Sequence, residues 1–585
     1  MKASLFPSAF SALAYFTALA ATQSNQNCPL LGPVFPAPSR PNSSIAVQSV
    51  QKIFPGLLAE ALSAGILDNT TTSFSINIFS ASNNQSLFTY HFAAPGLNGS
   101  LPSGSLNDNT IYRIGSLSKL FTVYTLLAEN GNVDFNQPVT KYIPELAAAS
   151  TKYQINNVQW SDVTIAALAS HQAGIARDYG VLDLANEKLD LAALGLTALN
   201  ASEIPTCGFD PENLKPCDRE GYINGLLSER PVTSPFHTAI YSNAGFVILG
   251  YVIESIVNQT FSEAISSAIL EPLKMSRTLT QPPTNETNVI IPVDALSSAF
   301  SIDIGSEVPA GGIFSTLSDL RTLGLSLLHS TLLPASLTRW WMKPMVMTSN
   351  TLNAVGAPWE IFRQELPLSS ATNNTRVVDL YTKGGDVGLY SSLLALDKDH
   401  NIGFSILTAG ASSSATRTAL GSIIAAEWVP ALEAAAREEA NATFAGTYIS
   451  GDSTDNSTIT ITLEDGRPGL DVSQIISKSV DFRQSIRQLV FNVTDPSVDV
   501  SIRLYPTSLV CGNLISFRAI IESLPYTQSE TEGVFNSLCQ TWVEVDGNVY
   551  GSVGFDDFEF ALDRSTGQAV EIRPRVLRDR LSRAA

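Results

Sequence analysis

Apolar and polar residues alternate in two neighbouring stretches near the start of the chain, Ser73–Phe79 and Leu87–His91. The polar pair Asn83-Asn84 lies between them, and this arrangement predicts a β-hairpin. Before the hairpin, residues 47–64 carry apolar positions at helical spacing. The chain is therefore expected to open with a helix and a pair of strands.

The rest of the first 440 residues passes through helices and returns to strands. Residues 116–129 place apolar side chains on one helical face, and helical patterns continue to about residue 270. Strand-like runs then reappear at residues 377–382, 389–396 and 402–408. An Ala-rich stretch, 415–440, predicts a helix bent near Pro430. Strands that bracket a helical block predict an α/β fold, an α/β/α unit with an antiparallel sheet.

Beyond residue 441 the pattern changes to short alternating runs separated by Gly, Asp and Pro turns. The runs lie at residues 457–463, 501–504 and 541–545. They predict a small all-β domain, either a sheet or a barrel. The expected organisation is a signal peptide at 1–20, a polar leader at 21–45, a main unit at 46–440 and a β-rich C-terminal domain at 441–585.

Charge excludes one broad class of function. The 585 residues include 35 Lys and Arg against 54 Asp and Glu, which gives a formal charge of −19. Such a chain has little attraction for nucleic-acid phosphates or anionic lipids, so we expect no nucleic-acid partner. Hydrophobic residues make up 44% of the chain, enough for sizeable cores.

The N-terminus has the pattern of a secretory signal peptide. Lys2 precedes a mainly apolar run that contains Pro7 and the small-residue site Ala18-Leu19-Ala20. The alternatives are a buried helix or a membrane anchor, but the run is shorter than the ~20 residues a span needs. We expect a secreted glycoprotein without a membrane span, because eleven Asn-x-Ser/Thr sequons are spread along the chain. They lie at Asn42, Asn69, Asn84, Asn98, Asn200, Asn258, Asn285, Asn373, Asn441, Asn456 and Asn492.

The five cysteines predict two disulfides. Cys207 and Cys217 flank a loop with two prolines, and Cys511 and Cys539 share the C-terminal region. Sequence alone does not fix the connectivity, so Cys28 is either free or displaces one of these pairings. The five histidines have no ligand spacing, and HExxH and CxxC motifs are absent. We therefore expect no metal site and no cofactor.

A candidate nucleophile lies in the stretch Gly115-Ser116-Leu117-Ser118-Lys119. Ser and Lys at i and i+3 share one face of a helix, where a desolvated Lys can accept the Ser proton. The helix N-terminus also favours developing negative charge at Ser116. A second Ser-x-x-Lys, Ser49–Lys52, is a weaker candidate because Pro55 follows it closely. In the alternative without a catalytic role, Ser116 is an ordinary helix N-cap and Lys119 is a solvated charge.

Two further motifs strengthen the interpretation of Ser116 as a nucleophile. Tyr241-Ser242-Asn243 precedes a strongly apolar helical stretch, and Lys383-Gly384-Gly385 closes the strand predicted at 377–382. Ser-x-x-Lys, Tyr-x-Asn and Lys-x-Gly in this order resemble the serine β-lactamase and penicillin-binding-protein superfamily. The flanking stretches 168–174, 241–250 and 310–316 are similar to the branch of class C β-lactamases, D,D-peptidases and related esterases.

The resemblance covers residues 45–430 and extends to secreted fungal β-lactamase-like proteins. It implies an acyl-enzyme on Ser116, with Lys119 and Tyr241 sharing the general-base work. Asn243 would orient the substrate or the lysine. The remaining implied roles belong to residues 383–386. Lys383 would add positive potential, and Gly385 would let the substrate approach the backbone. The backbone N–H of Asp386 would form an oxyanion hole together with that of Ser116. The C-terminal domain resembles the lipocalin-like modules of some members.

Two departures from the family pattern affect the substrate. The middle residue of Lys-x-Gly is often Thr or Ser, which helps to hold a substrate carboxylate, but here it is Gly384. Asp386 adds a negative charge nearby. Both departures favour a neutral ester, amide or lactone over β-lactams or peptidoglycan stems.

Several alternatives stay open at this point. Tyr222-Ile223-Asn224 is a rival for the second motif, and Lys383 could be a solvated strand-end charge. The same acyl-enzyme could transfer its acyl group to an acceptor other than water. The fold could also serve as a silent binding protein. A Ser-His-Asp hydrolase is disfavoured because the chain lacks a G-x-S-x-G elbow.

Overall fold

The computed structural model describes residues 29–584 except 98, 102–104, 150–154, 182, 187–188, 209–213, 286, 370–373, 453 and 525–540. The predicted signal peptide, Cys28, Asn98, Asn373 and Cys539 lie outside the described residues. Contacts divide the described chain into two compact units. One comprises residues 37–364 and 378–436, and the other comprises the residues up to 36, 365–377 and those from 437 onward.

The helices of the chain are α1 Ile45–Ser63, α2 Ser118–Asn130, α3 Pro144–Ala148, α4 Ile165–Ala169, α5 Arg219–Ser228, α6 Ala244–Val257, α7 Phe261–Ile265, α8 Val308–Gly311, α9 Leu317–His329, α10 Ala335–Trp341, α11 Ser413–Phe444, α12 Phe482–Phe491 and α13 Thr541–Glu544. The helix predicted at 47–64 is confirmed as α1. It continues through Pro55, and Ser44 caps it by accepting from the N–H groups of Ala46 and Val47.

One antiparallel sheet forms the centre of the first unit. Its strands are β1 Thr72–Ser80, β2 Gln85–Phe92, β5 Val346–Met347, β6 Asn353–Val355, β7 Glu360–Pro367, β8 Thr375–Val387, β9 Tyr390–Asp397 and β10 Ile402–Gly410, in the order β2-β1-β10-β9-β8-β7-β6-β5. A separate pair joins β3 Tyr112–Arg113 to β4 Phe314–Ser315. The predicted hairpin is β1–β2, and β1 also pairs with β10, with Ile76 opposite Ile406.

Helices cover both faces of this sheet. On one face, α1 and α11 bury Phe54 and Trp428 against apolar residues of β1 and β10. On the other face, α2, α6 and α9 contribute to a second, larger apolar core. Because both faces are covered, every residue of β1 and of β10 is buried. This layered arrangement is the α/β/α architecture that the sequence predicts.

Helix α11 is long and apolar enough by composition to cross a membrane, as is the bent pair formed by α6 with residues 261–270. Half of the most apolar stretch of α11 is buried within the protein. Pro430 lies inside it without ending it.

The second unit is built around a closed barrel. Its strands are β11 Gly446–Ser450, β12 Thr458–Thr462, β13 Leu470–Ser477, β15 Asp499–Cys511, β16 Leu514–Leu524, β19 Asp557–Leu562, β20 Ala569–Pro574 and β21 Leu581–Arg583. Neighbours in sequence pair antiparallel, and β21 pairs with β11 to close the ring. The short strands β14 Val480–Asp481, β17 Val549–Tyr550 and β18 Val553–Gly554 complete the set. The predicted all-β domain is thus a barrel, the closed alternative.

The cysteines follow the sequence prediction at one of two places. Cys207 and Cys217 form a disulfide. The predicted pairing of Cys511 with Cys539 is wrong, because Cys511 carries a free, exposed thiol. Cys511 is the last residue of β15, at the turn into β16, where its side chain faces outward. Shared location in one domain was therefore no guide to pairing.

Candidate active site

Ser116 lies in a tight 3₁₀ turn, Gly115–Leu117, that leads directly into α2. Gly115 has a φ of 51°, a left-handed conformation that favours glycine. A side chain there would also collide with the backbone of Asp386, since a Cβ would lie 2.7 Å from its nitrogen. The turn leaves Ser116 half-buried while its neighbours in the chain are buried. Its hydroxyl is therefore the group of this turn that a substrate can reach.

Lys119 is buried one helical turn beyond Ser116 and has three acceptors. Its Nζ donates to Ser116 Oγ at 3.1 Å, to Asn243 Oδ1 at 2.6 Å and to the Ala310 carbonyl at 2.6 Å. The Tyr241 phenol is a further partner of the same ammonium group, whose three N–H bonds are therefore shared among four oxygens. Burial lowers the pKa of Lys119, and the neighbouring Tyr241 partly opposes that shift. The lysine is thus held in place with its proton affinity reduced.

Tyr241 lies over the same lysine, just before α6. The centroid of its ring is 5.0 Å from Lys119 Nζ and 5.5 Å from Lys383 Nζ. Burial alone would raise the pKa of the phenol, but the two ammonium charges and hydrogen bonds from Lys119 and Ser116 bring the pKa below its usual value. The site therefore makes the phenol beside the Ser116 hydroxyl more acidic than a free tyrosine.

Two residues outside the three motifs pack against the ring of Tyr241. His171 stacks on the ring at a centroid distance of 4.4 Å, and the guanidinium of Arg177 lies 5.0 Å from its centroid. Burial, followed by the nearby cations, lowers the pKa of His171 well below its usual value, so the imidazole is neutral. Its Nδ1 accepts from Ser242 N at 3.1 Å. This histidine positions the Tyr241 segment and carries no charge.

Asn243 connects Lys119 to a second group that the sequence analysis missed. Its Oδ1 accepts from Lys119, while its Nδ2 donates to Asp178 Oδ1 at 2.8 Å. The carboxylate thereby fixes which end of the amide faces the lysine. Asp178 follows the flanking stretch 168–174 closely, but its contact with Asn243 spans 65 residues and has no local signal.

The strand β8 brings the third motif against the Ser116 turn. A Cβ on Gly385 would lie 2.7 Å from Ser116 N and 2.6 Å from Leu117 N, so the two backbones are in direct contact. Gly385 was expected to admit substrate to the backbone, whereas the close approach here is by the protein's own turn. This packing places Asp386, the next residue, beside residues 115–117.

Lys383 is buried and lies within β8, which excludes the alternative of a solvated strand-end charge and shows that the predicted end of this strand is wrong. It is 1% exposed, and β8 continues four residues further to Val387 because the sheet is covered on both faces there. Its Nζ donates to Glu360 Oε1 at 2.6 Å. Burial opposes the charge, but Glu360 and Tyr241 outweigh it and raise the pKa of Lys383 above its usual value.

The rival motifs lie elsewhere. Ser49 and Lys52 are both exposed on α1, although this helix is long and Pro55 does not end it. Tyr222 is buried within α5, where its hydroxyl donates to Glu307 Oε1 at 3.1 Å. Neither pair lies among the groups around Ser116.

A Ser-His-Asp chain does occur within the described residues, but it is closed to substrate. Ser75 Oγ is 2.8 Å from His91 Nδ1, and His91 Nε2 is 3.1 Å from Asp108 Oδ1. Ser75 is completely buried in β1, where its hydroxyl also contacts that of Tyr112. This network holds the sheet and presents no nucleophile.

Comparison with known proteins follows the division into two units. The model of the family described as "Beta-lactamase" matches residues 83–426, and the model described as "Beta-lactamase-like-like, C-terminal domain" matches residues 436–585. A "Beta-lactamase-like protein" of Arthroderma benhamiae is 27% identical over 96% of this chain and 97% of its own length. A "Probable hydrolase M10" of a Phoma species is 28% identical over 76% of this chain and 72% of its own.

Among solved structures, the octameric penicillin-binding protein homologue from Pyrococcus abyssi aligns with 90% of this chain and 98% of its own, at 17% identity and a TM-score of 0.45. The match to the "Beta-lactamase" model covers more than half of the chain and contains Ser116, Lys119, Tyr241 and Lys383. Because this model match covers more than half of the chain, the chain belongs to the beta-lactamase family and is a beta-lactamase-like hydrolase.

Proposed function

We propose that this protein is a serine hydrolase that forms an acyl-enzyme on Ser116 and acts on an ester, amide or lactone. The observation that carries the proposal is the convergence of Lys119 and Tyr241 on the Ser116 hydroxyl. A serine hydroxyl becomes nucleophilic only when a neighbouring base takes its proton. The Tyr241 phenol, whose pKa the neighbouring Lys383 and Lys119 ammonium groups lower, provides such a base, and the buried Lys119 donates to the Ser116 oxygen.

The first half-reaction uses these groups in turn. Ser116 Oγ attacks the substrate carbonyl as its proton passes to the Tyr241 phenolate, with the Lys119 ammonium stabilising the charges on both oxygens. The tetrahedral oxyanion would accept from the backbone N–H groups of Ser116 and Asp386. When the carbonyl re-forms, the bond to the leaving group breaks, and the leaving group takes the proton from Tyr241. The acyl group remains as an ester of Ser116.

Water completes the cycle by the reverse route. Tyr241 accepts a proton from the water as it attacks the Ser116 ester, and returns that proton to Ser116 Oγ as the acid is released. An alcohol or amine in place of water would give acyl transfer with the same residues. A silent binding protein would have no need of a buried ammonium group in contact with a serine, since burying an unpaired charge is costly.

We also propose that the protein is a secreted glycoprotein. Nine of the eleven sequon asparagines lie among the described residues; Asn42 is half-buried and the other eight are exposed: Asn69, Asn84, Asn200, Asn258, Asn285, Asn441, Asn456 and Asn492. Exposure is required for modification and supports the proposal. A mass shift of the secreted protein on treatment with an endoglycosidase would be the direct test.

The test of the mechanism is covalent labelling with a fluorophosphonate probe. We expect the wild-type protein to be labelled on the peptide that contains Ser116, and Ser116→Ala to remain unlabelled. Ser49→Ala is the matched control, because it removes the serine of the exposed Ser-x-x-Lys pair on α1 and should label as the wild type does. Equal labelling of wild type and Ser116→Ala would refute the proposal.

A further inference from the structure

Four charged side chains surround Gly384 on the strand side of the site, and we call them the rim quartet: Lys383, Glu360, Arg417 and Asp386. Two are cations and two are carboxylates, so their formal charges cancel. They come from β8, from the start of β7 and from α11. None of the three motifs named Glu360 or Arg417.

Glu360 accepts two separate hydrogen bonds from β8, one from Lys383 and one from the backbone of Gly384. Its Oε1 accepts from Lys383 Nζ at 2.6 Å, and its Oε2 accepts from the backbone N–H of Gly384 at 2.9 Å. The lysine is 1% exposed, whereas the carboxylate is 37% exposed at the surface of the site. Both oxygens of Glu360 therefore accept hydrogen bonds, and its Oε1 forms a charge-assisted bond with Lys383.

Arg417 fills the remaining space beside Gly384. A Cβ at position 384 would lie 2.5 Å from Arg417 Nη1 and 3.5 Å from Glu360 Oε2. The guanidinium pairs with Asp386 Oδ2 at 3.5 Å, and Asp386 Oδ1 accepts from Ser391 Oγ at 2.7 Å. The guanidinium thus occupies the place where a side chain at position 384 would begin, and a larger residue there would have to displace it.

The quartet lies next to the reacting groups. Lys383 Nζ is 5.5 Å from the centroid of the Tyr241 ring, and Asp386 follows the glycine that contacts the Ser116 turn. This rim is therefore within reach of the substituents of a substrate whose carbonyl lies at Ser116. The two carboxylates are the more exposed members of the quartet, with Glu360 37% and Asp386 53% exposed against 1% for Lys383 and 18% for Arg417, so a substrate carboxylate meets mainly like charge.

We propose that Glu360 is a specificity-determining residue: it supplies the carboxylate that Lys383 requires and so restricts the site to acyl donors with an uncharged group on the strand side. This inference rests on the proposed acyl-enzyme function and names the substrate class within it. A substrate carboxylate could reach Lys383 only by displacing Glu360, and the displaced carboxylate would then lie unpaired beside an equal charge.

The experiment compares two esters of phenylacetic acid that differ only in charge, the 3-carbamoylphenyl and the 3-carboxyphenyl ester. We expect the wild-type protein to favour the carbamoyl ester in kcat/KM by about tenfold, the size of one partly screened charge interaction. Glu360→Gln keeps the shape of the side chain and removes the carboxylate partner of Lys383, which still donates to the Gly384 carbonyl. This variant should raise kcat/KM for the carboxyl ester relative to the carbamoyl ester by about tenfold.

Glu365→Gln is the matched control, since it removes the same charge from an exposed position on the same strand and should keep the wild-type preference. An unchanged preference in an active Glu360→Gln variant would overturn the proposal. So would a wild-type protein that favours the carboxyl ester, a result that does not depend on how the variant folds. Hydrolysis of neither ester by the wild type, together with absence of labelling at Ser116, would instead refute the underlying acyl-enzyme function.

Discussion

Replacing Gly385 by alanine should disable the site while leaving the fold in place. The added methyl group would lie 2.7 Å from Ser116 N and 2.6 Å from Leu117 N, and closer still to the carbonyl of Ile114. Ordinary contacts of carbon require about 3.5 Å, so the strand and the Ser116 turn must separate by roughly 1 Å. A shift of that size between reacting groups costs about 10²-fold in rate. Loss of one oxyanion donor would cost a similar factor of about 10²–10³.

The assay is single-turnover acylation by the neutral carbamoyl ester, followed as release of the phenol. We expect the acylation rate of Gly385→Ala to fall by about 10²-fold or more while its circular dichroism spectrum stays that of the wild type. Gly56→Ala is the control, because nothing lies within 4 Å of a Cβ at that position of α1. Alanine there should leave the rate unchanged. An acylation rate for Gly385→Ala within about twofold of wild type would show that the backbone contact does not position the nucleophile.

Two further predictions concern Asp178, which holds Asn243, and His400, which is buried between carboxylates. Asp178→Ala should lower kcat by about tenfold with KM nearly unchanged, because the amide of Asn243 would lose the acceptor that turns its oxygen toward Lys119. Asp178→Asn, which can still accept, should retain most activity, and a KM effect alone in steady-state kinetics would contradict this role. His400 lies buried between two carboxylates: its Nδ1 is 2.5 Å from Asp397 Oδ2, and its Nε2 is 2.8 Å from Glu433 Oε2. Burial opposes the charge on the imidazole, but these two partners outweigh it and raise the pKa of His400 to about 10. The resulting stabilisation should be complete below the unfolded pKa of 6.5 and disappear as the pH rises to about 10. Urea denaturation should show a loss of about 3–5 kcal/mol for His400→Gln at pH 6 and a much smaller difference at pH 10; equal differences at both values would refute the assignment.

The groups that sequence reasoning identified are those whose relation is local. Ser116 and Lys119 are one helical turn apart, and the Tyr-x-Asn and Lys-x-Gly motifs each lie within three residues. Their local spacing therefore survives into the structure. Glu360 contacts Lys383, which lies 23 residues away in the chain, and Asp178 contacts Asn243, which lies 65 residues away. Hydrophobic periodicity carries no information about contacts at such separations.

The errors have a related cause. The end of β8 was predicted at a pair of glycines, but the strand continues because packing on both faces outweighs their weak strand preference. The pairing of Cys511 was inferred from shared location in the C-terminal domain, whereas its thiol lies at a hairpin turn whose outward orientation only the closed barrel reveals. In both cases tertiary context decided what local pattern could not.

The pairing of β1 with β10 has a consequence for how the protein folds during its synthesis. These neighbours in the central sheet are more than 300 residues apart in the chain, with Thr72 opposite Gly410. During synthesis, β1 and β2 must therefore wait with one edge unpaired while nearly the whole first unit is made. Such non-local closure slows folding and exposes a strand edge to aggregation in the meantime. It also means that a nascent chain cannot hydrolyse anything before β8 and β10 emerge, so the appearance of activity should coincide with completion of the sheet.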